Sequence, residues 1–192
     1  MSPDGRSGAQ LDTPYTVNGV ILVNKKHYVS EKYVPVVTDE SRPMDPEARA
    51  ALTEMLNAAE AEGHYLSKNS GYRSYALQSE IFWSEANVIG AAAANKLTAY
   101  PGQSEHQTGL AVDLTDDNNG WAGFSDAFGE LESGKWLAAN SYKYGFILRY
   151  LKGKEAITGY LYEPWHFRYV GKEIADAIGP NPGITLEEYL GE

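Results

Sequence analysis

The 192-residue chain contains no cysteine, so disulfides and thiolate metal ligands are excluded, and any bound metal must use nitrogen and oxygen ligands. No apolar run approaches the roughly 20 residues of a membrane-spanning helix. Positive charge is also scarce, because 16 Lys and Arg face 26 Asp and Glu for a formal net charge of −10. Nucleic acids and anionic membranes require a basic face, so we expect neither as a partner.

The length and the ordinary 43% hydrophobic content suit a single domain with one sizeable core. We expect this domain to span residues 18–192 and to be monomeric, whereas residues 1–17, with their Gly, Ser and Pro, predict a flexible tether. The first ten residues lack the apolar segment of a signal peptide. We therefore expect either a cytoplasmic protein or one whose export segment has been removed, and we favour the second, with a location outside the cell or in its envelope.

Three amphipathic helices are predicted from their start and stop residues. Asp45 as N-cap, Pro46 at the first position and Gly63 at the end predict the first helix. The second opens near Ser74 and runs toward Gly90, with residues 91–94 extending it. The third covers residues 135–144 before Gly145, and a capping box at residues 185–188 opens a small terminal helix.

The strand signals are short and cluster late in the chain. They lie at residues 20–23, 33–37, 110–114, 146–150 and 166–170. Pro35 makes the second of these an edge strand or an irregular segment. Helices that come first and strands that cluster late predict an α+β fold, in which helices flank a small antiparallel sheet.

The candidate chemistry lies in two short stretches, Ser104-Glu-His106-Gln-Thr-Gly109-Leu-Ala-Val-Asp113 and Glu163-Pro-Trp-His166. A catalytic zinc takes three His or carboxylate ligands and leaves one position for water, whose pKa it lowers from ~15.7 to about 7. His106, Asp113 and His166 would supply the three ligands. Glu163 would be the general base beside that water. Together the two stretches predict a zinc hydrolase.

The neighbouring residues are compatible with such a site. Gly109 fits a tight turn or a close backbone approach between His106 and Asp113. Pro164 excludes an ordinary helix interior, so an extended or turn conformation must direct Glu163 inward. Arg73 is the best candidate to stabilise a developing oxyanion or to hold a substrate carboxylate.

The other two histidines receive no function. His27 follows two lysines in a polar stretch, and we expect it at the surface. His64 follows Gly63 at the predicted end of the first helix, where we expect a C-terminal cation or a solvent-facing side chain.

The ordered motifs Ser70-Gly-Tyr-Arg73-Ser74, Ser104 to Asp113 and Glu163 to His166 resemble those of the VanY-type D-alanyl-D-alanine carboxypeptidases. These belong with the zinc peptidases that include lysostaphin and the hedgehog fold, and the likeness spans roughly residues 22–170. It implies a hedgehog/D,D-peptidase-like fold and a zinc-dependent D,D-carboxypeptidase that removes the terminal D-alanine from peptidoglycan stem peptides.

The same resemblance implies roles for individual residues. His106, Asp113 and His166 take the zinc-ligand positions, and Glu163 takes the general-base position. The positions that contact the substrate's terminal carboxylate or scissile carbonyl are matched by Arg73, Gln78 and Ser104. Trp165 walls the pocket or packs.

Three alternatives remain open at this level. Similar enzymes with the same zinc set cleave the L,D bond of tetrapeptides, and the difference lies in pocket size and in loops such as residues 116–121 and 153–160. An endopeptidase that cuts L-Ala-D-Glu fits the Glu-Pro-Trp-His motif less well. A zinc-bearing cell-wall binding module is disfavoured because no ligand and no base is missing.

Overall fold

The structure is a computed structural model that describes residues 2–119, 124–180 and 183–192. Its helices are α1 (Pro46–Ala61), α2 (Tyr75–Ile89), α3 (Ala91–Leu97), α4 (Glu132–Asn140), α5 (Glu155–Thr158), α6 (Lys172–Ile178) and α7 (Leu186–Leu190). Its strands are β1 (Tyr15–Val17), β2 (Val20–Leu22), β3 (Leu66–Ser70), β4 (Ala111–Asp116), β5 (Phe146–Leu148) and β6 (His166–Tyr169). Short 3₁₀ helices cover Gly8–Asp12, Glu105–Thr108, Asp126–Glu130 and Ser141–Tyr144.

The helix boundaries follow the capping residues in the sequence. The Asp45 side chain accepts hydrogen bonds from the first-turn backbone of α1, and Pro46 occupies its first position. The Ser74 hydroxyl accepts from the Leu77 amide at the start of α2. Residues 91–94 do not extend α2 but belong to the separate helix α3, Ala91–Leu97, and the predicted helix at 135–144 divides into α4 and a 3₁₀ turn.

The predicted α+β fold is confirmed. The central sheet has the antiparallel order β3-β4-β6-β5, and β1 pairs with β2 in a separate hairpin. Successive residues of a strand point to opposite faces. Val112, Leu114 and Phe167 therefore pack with α1 in the main core, while Asp113 and His166 point to the other face.

Residues 33–37 form no regular strand, as the proline allows. Val34 is 70% exposed and Val36 is 78% exposed, so these two side chains do not join the core.

Two residues of the N-terminal segment make contacts within the described part of the chain. Tyr15 pairs with Leu22 across the first hairpin, and the Ser2 hydroxyl donates to the Lys26 carbonyl. Ser2 and Tyr15 thus have partners that composition does not reveal, and the flexible tether at residues 1–17 stays a prediction.

The prediction that His27 lies at the surface is wrong. The ring is 4% exposed and stacks on Tyr15 at 3.9 Å, and Nδ1 lies 2.8 Å from the Asp4 carboxylate. An aromatic face and a buried carboxylate explain the burial. His64 is half-buried after α1, with its ring 5.9 Å from that of Trp136.

Within the described residues, no helix combines the length and the apolar content needed to cross a bilayer.

Candidate active site

The sheet register brings two of the three predicted ligands together. Asp113 in the inner strand β4 lies opposite Ser70 of β3 on one side and opposite His166 of β6 on the other. Directly paired antiparallel residues place their side chains next to each other on one face. His106 joins them from the 3₁₀ turn before β4, and one ligand atom from each residue lies within 4.8 Å of the others. We call His106, Asp113 and His166 the metal cluster.

Two glycines near the metal cluster allow the backbone to pass close to neighbouring segments. Gly109 has a φ of +74°, and a Cβ there would lie 3.0 Å from a Val37 methyl carbon and 3.1 Å from the Asp45 nitrogen. Gly71 has ordinary dihedrals, but a Cβ would lie 2.5 Å from the Pro43 carbonyl oxygen. The turn predicted at Gly109 is confirmed, with the backbone too close to its neighbours for a side chain.

The donor set of the metal cluster fits a zinc ion. Asp113 Oδ1 is buried and, among the described residues, has no hydrogen-bond partner. It faces His106 Nε2 at 3.3 Å and His166 Nδ1 at 3.4 Å. His106 Nδ1–H donates to the Gly71 carbonyl at 2.7 Å, which leaves the Nε2 lone pair directed at the cluster. Two nitrogens and one carboxylate oxygen match the ligands of catalytic zinc sites.

The protonation of the cluster follows from burial and from its neighbours. Burial lowers the pKa of His106 and so favours the neutral ring that a ligand requires. For Asp113, burial acts to raise the pKa, but the neighbouring His106, His166 and Arg73 outweigh it and hold the pKa well below its usual range. Burial opposes the charge on His166, yet contacts with Asp113 and Glu105 raise its pKa to about 9.

Glu163 stands beside the cluster without belonging to it. Its Oε2 lies 3.6 Å from His166 Nδ1, and the residue is 9% exposed. Burial raises the pKa of Glu163 to about 8, against the opposing charge of His166. The carboxyl group can therefore gain or lose a proton near neutral pH, as a general acid–base requires.

Arg73 contacts four side chains, one of them His106, whose Nε2 lies 3.3 Å from Nη2. Its guanidinium donates to the Ser70 hydroxyl at 3.0 Å, to Gln78 Oε1 at 3.3 Å and to Asp113 Oδ2 at 2.7 Å. Gln78 is 1% exposed, and its Nε2 donates to the Ala99 carbonyl at 2.8 Å. Gln78 thus orients Arg73 and ties α2 to the segment after α3.

A cavity of about 690 Å³ opens in front of the metal cluster. Arg73, Gln78, Ser104, Glu163 and Trp165 all line it. Trp165 also packs against the core and meets Phe124 edge-on at 5.7 Å, so its side chain both walls the cavity and packs.

Several site residues escaped the sequence analysis. Tyr150 and Tyr160 line the cavity, and the Tyr150 ring lies 4.8 Å from that of His166. Behind His166 are four buried charged residues that we call the charged quartet: Glu105, Arg149, Arg168 and Glu187. The position of Glu105 beside His106 was a signal for one of them, but the arginines and Glu187 carry no local signal.

Of the two predicted loops, only residues 116–121 are partly outside the described residues. Gly120 and Trp121 lie outside the described residues, while Asp116 accepts hydrogen bonds from the amides of Asn118 and Asn119. The stretch 153–160 contains α5 and ends at Tyr160 on the cavity wall.

Comparison with known proteins places these features in one family. The model of the family described as VanY, D-alanyl-D-alanine carboxypeptidase, matches residues 41–172. The chain is 47% identical over 90% of its length to a putative carboxypeptidase, YodJ, of Bacillus subtilis. It is 38% identical over 89% of its length to a D-alanyl-D-alanine carboxypeptidase of Enterococcus faecalis. The chain spans 67% and 65% of these two curated relatives.

Solved structures agree on the fold. The LdcB LD-carboxypeptidase superposes with a TM-score of 0.80 at 43% identity, covering 93% of each chain. A mutant of the vancomycin-resistance D,D-pentapeptidase VanY in complex with Zn(II) superposes with a TM-score of 0.77 at 38% identity, covering 88% of this chain and 97% of that one.

Proposed function

Because the chain belongs to the VanY D-alanyl-D-alanine carboxypeptidase family, we propose that it is a zinc-dependent D,D-carboxypeptidase acting on peptidoglycan stem peptides. Its product would be a stem peptide shortened by its C-terminal D-alanine. The observation that carries this proposal is the convergence of the metal cluster and Glu163 at one cavity, where Asp113 Oδ1 is buried and not hydrogen-bonded by any described residue. The VanY structure with Zn(II) supports zinc as the metal.

The proposed mechanism gives each side chain one task. His106, Asp113 and His166 would hold the zinc ion, which would supply Lewis-acid chemistry when bound. Glu163, whose Oε2 lies 3.6 Å from His166 Nδ1, accepts the proton of the attacking water and gives it to the leaving amine. The Arg73 side chain is 20% exposed and lines the cavity next to the cluster, where it can hold the substrate's terminal carboxylate or the developing oxyanion.

The three other residues predicted to bind substrate, Ser104, Trp165 and Gln78, have different positions in the site. Ser104 is 4% exposed on the cavity wall, close in sequence to His106, and can contact the substrate. Trp165 limits the width of the cavity with its ring. Because the Gln78 amide is already bonded at both ends, we assign it to the orientation of Arg73 in preference to a direct substrate contact.

One observation favours a second candidate, an L,D-carboxypeptidase that acts on tetrapeptide stems. The LdcB LD-carboxypeptidase shares 43% identity with this chain, against 38% for the D,D-pentapeptidase VanY. The two candidates share the metal, the base and the reaction, and they differ in the residue that precedes the leaving D-alanine.

The test is release of D-alanine from a synthetic pentapeptide stem and from the matching tetrapeptide, with and without a chelator. Chelator-sensitive release from the pentapeptide is expected. Release from the tetrapeptide alone would transfer the enzyme to the L,D class. Zinc-loaded protein that releases D-alanine from neither peptide would contradict the carboxypeptidase proposal.

For the location we propose the cell envelope, where peptidoglycan stems are found. Detection of the protein in fractionated cells, against a cytoplasmic marker, tests this proposal directly.

A further inference from the structure

We propose that Glu105 is a positioning residue for the metal ligand His166, an inference that rests on the proposed zinc site. The Glu105 side chain is completely buried, and its Oε2 lies 3.4 Å from His166 Nε2. An ionised carboxylate can only accept, so the ring nitrogen donates its proton to Glu105. Arg149 Nε and Arg168 Nη1 donate to the other oxygen of Glu105 at 2.7 and 2.8 Å, so two cations keep the buried carboxylate ionised.

This hydrogen bond selects the tautomer of His166. With the proton on Nε2, the lone pair of the neutral ring lies on Nδ1. That atom faces the metal cluster, 3.4 Å from Asp113 Oδ1 and 3.6 Å from Glu163 Oε2. A carboxylate behind a metal-bound histidine fixes the ring orientation and raises the basicity of the ligand.

The two oxygens of Glu105 have separate tasks. Oε1 accepts from Arg149 Nε at 2.7 Å and from Arg168 Nη1 at 2.8 Å. Oε2 is turned toward His166. The two arginines therefore anchor the carboxylate from behind and leave its second oxygen for the histidine.

The rest of the charged quartet balances the charge of the arginines. Arg149 Nη1 and Nη2 donate to the two carboxylate oxygens of Glu187 at 2.8 and 2.6 Å. Arg168 Nη2 donates to the Ile21 carbonyl at 2.6 Å. Two positive and two negative side chains, each at most 3% exposed, thus form a neutral group. Such a group can hold an ionised carboxylate behind His166 without an uncompensated charge.

A buried ion pair can also serve stability alone, so the test compares the two carboxylates of the quartet. Glu187 contacts Arg149 but makes no described contact with His166, whereas Glu105 contacts both. The variants Glu105→Gln and Glu187→Gln each remove one buried negative charge. Only the first changes the group behind the metal ligand.

In Glu105→Gln the amide oxygen is expected to stay with the two arginines, which turns the NH₂ group toward His166 Nε2. The ring then accepts at Nε2 and carries its proton on Nδ1, the atom that faces the cluster. We expect the zinc dissociation constant, measured by competition with a chromogenic chelator, to rise about 10–100-fold. We expect Glu187→Gln to lower the melting temperature but to change zinc affinity by less than about threefold.

A second readout follows the tautomer itself. Nitrogen-15 NMR of the ring nitrogens in the zinc-free protein at high pH should show the proton of His166 on Nε2 in the wild type and on Nδ1 in Glu105→Gln. If Glu105→Gln does not fold, Glu105→Asp replaces it, because the shorter side chain keeps its charge but withdraws from the ring. It is expected to weaken zinc binding as well.

Unchanged zinc affinity in the Glu105 variant, or an equal loss in Glu187→Gln, would overturn the positioning role while the proposed function stands. Wild-type protein that binds no zinc would overturn the proposed function and this inference together.

Discussion

The metal cluster and the charged quartet are both buried groups of ionisable side chains, but they differ in how completely their polar atoms are used. In the quartet, hydrogen bonds from arginines reach the carboxylates of both Glu105 and Glu187. In the cluster, Asp113 Oδ1 has no hydrogen-bond partner among the described residues. Burial of a polar atom without a partner is unfavourable, so the cluster is suited to a ligand and the quartet to a support. His166 contacts both groups.

The strongest test of the contrast replaces Glu163, the group that works beside the cluster without belonging to it. We expect Glu163→Gln to lower the turnover of D-alanine-terminated peptides about 10²–10⁴-fold, the usual contribution of general acid–base catalysis. Zinc affinity should be retained, because Glu163 is not one of the three ligands. Steady-state kinetics and chelator competition on the same preparation measure both quantities.

Asp113→Asn is the matched control, because it also replaces a carboxylate by an amide but alters a ligand. It should lose zinc affinity together with activity. Equal zinc loss in the two variants would mean that Glu163 binds the metal as Asp113 does, which would contradict its assignment as a base outside the ligand set.

The next test measures how much the buried ion pairs of the charged quartet contribute to stability. Arg149→Met leaves Glu105 and Glu187 buried with one fewer cation, and we expect the free energy of unfolding to fall by about 3–5 kcal/mol. Urea denaturation measures it. Lys135→Met is the control, since it removes a cation from an exposed pair with Glu132, where a loss of no more than about 1 kcal/mol is expected. Similar losses would remove the distinction between a buried support and a surface pair.

A third test measures how far zinc binding to the metal cluster stabilises the protein. Zinc at about 100 times its dissociation constant should stabilise the folded protein by about 2.7 kcal/mol. For a chain of this size, that corresponds to a rise of roughly 5–10 °C in melting temperature. Differential scanning fluorimetry with and without zinc measures the shift, and Asp113→Asn should abolish most of it. A wild-type melting temperature that zinc leaves unchanged would contradict the metal site.

The smallest expected effect concerns the turn between His106 and Asp113. In Gly109→Ala the new methyl group would sit on a backbone with a φ of +74° and lie 3.0 Å from a Val37 carbon and 3.1 Å from the Asp45 nitrogen. We expect this substitution to destabilise the protein by about 2 kcal/mol. Gly153→Ala has a similar φ of +82° with no atom within 4 Å, so about 1 kcal/mol is expected. The difference, measured by urea denaturation, isolates the close approach. An equal loss would leave the unfavourable dihedral as the whole effect.

The elements that the sequence predicted well are those specified by neighbouring residues. Asp45 and Pro46 begin α1 through hydrogen bonds and geometry within one turn, and Ser74 does the same for α2. The three candidate ligands each stand in a short motif, and the structure brings them together; that they bind a metal stays a prediction. Their roles in the reaction remain predictions.

The features that sequence analysis missed depend on partners far apart in the chain. Glu105 meets arginines 44 and 63 positions away, and Arg149 meets a glutamate 38 positions away. The burial of His27 likewise depends on Asp4 and Tyr15, which lie in a segment whose composition predicted a tether. Local patterns carry no record of such pairs, because the sheet and the hairpin must form before the side chains meet.

The register of β4 against β6 has a consequence for how such enzymes can diversify. Asp113 and His166 face each other across the two strands, and a slip of one residue would turn one of them to the opposite face. The link between β5 and β6 also carries Glu163, but its residues 153–161 pair with no strand, and they supply Tyr160 and Leu161 to the cavity wall. Insertions in that link can change which peptides fit, while the reacting centre is inherited intact.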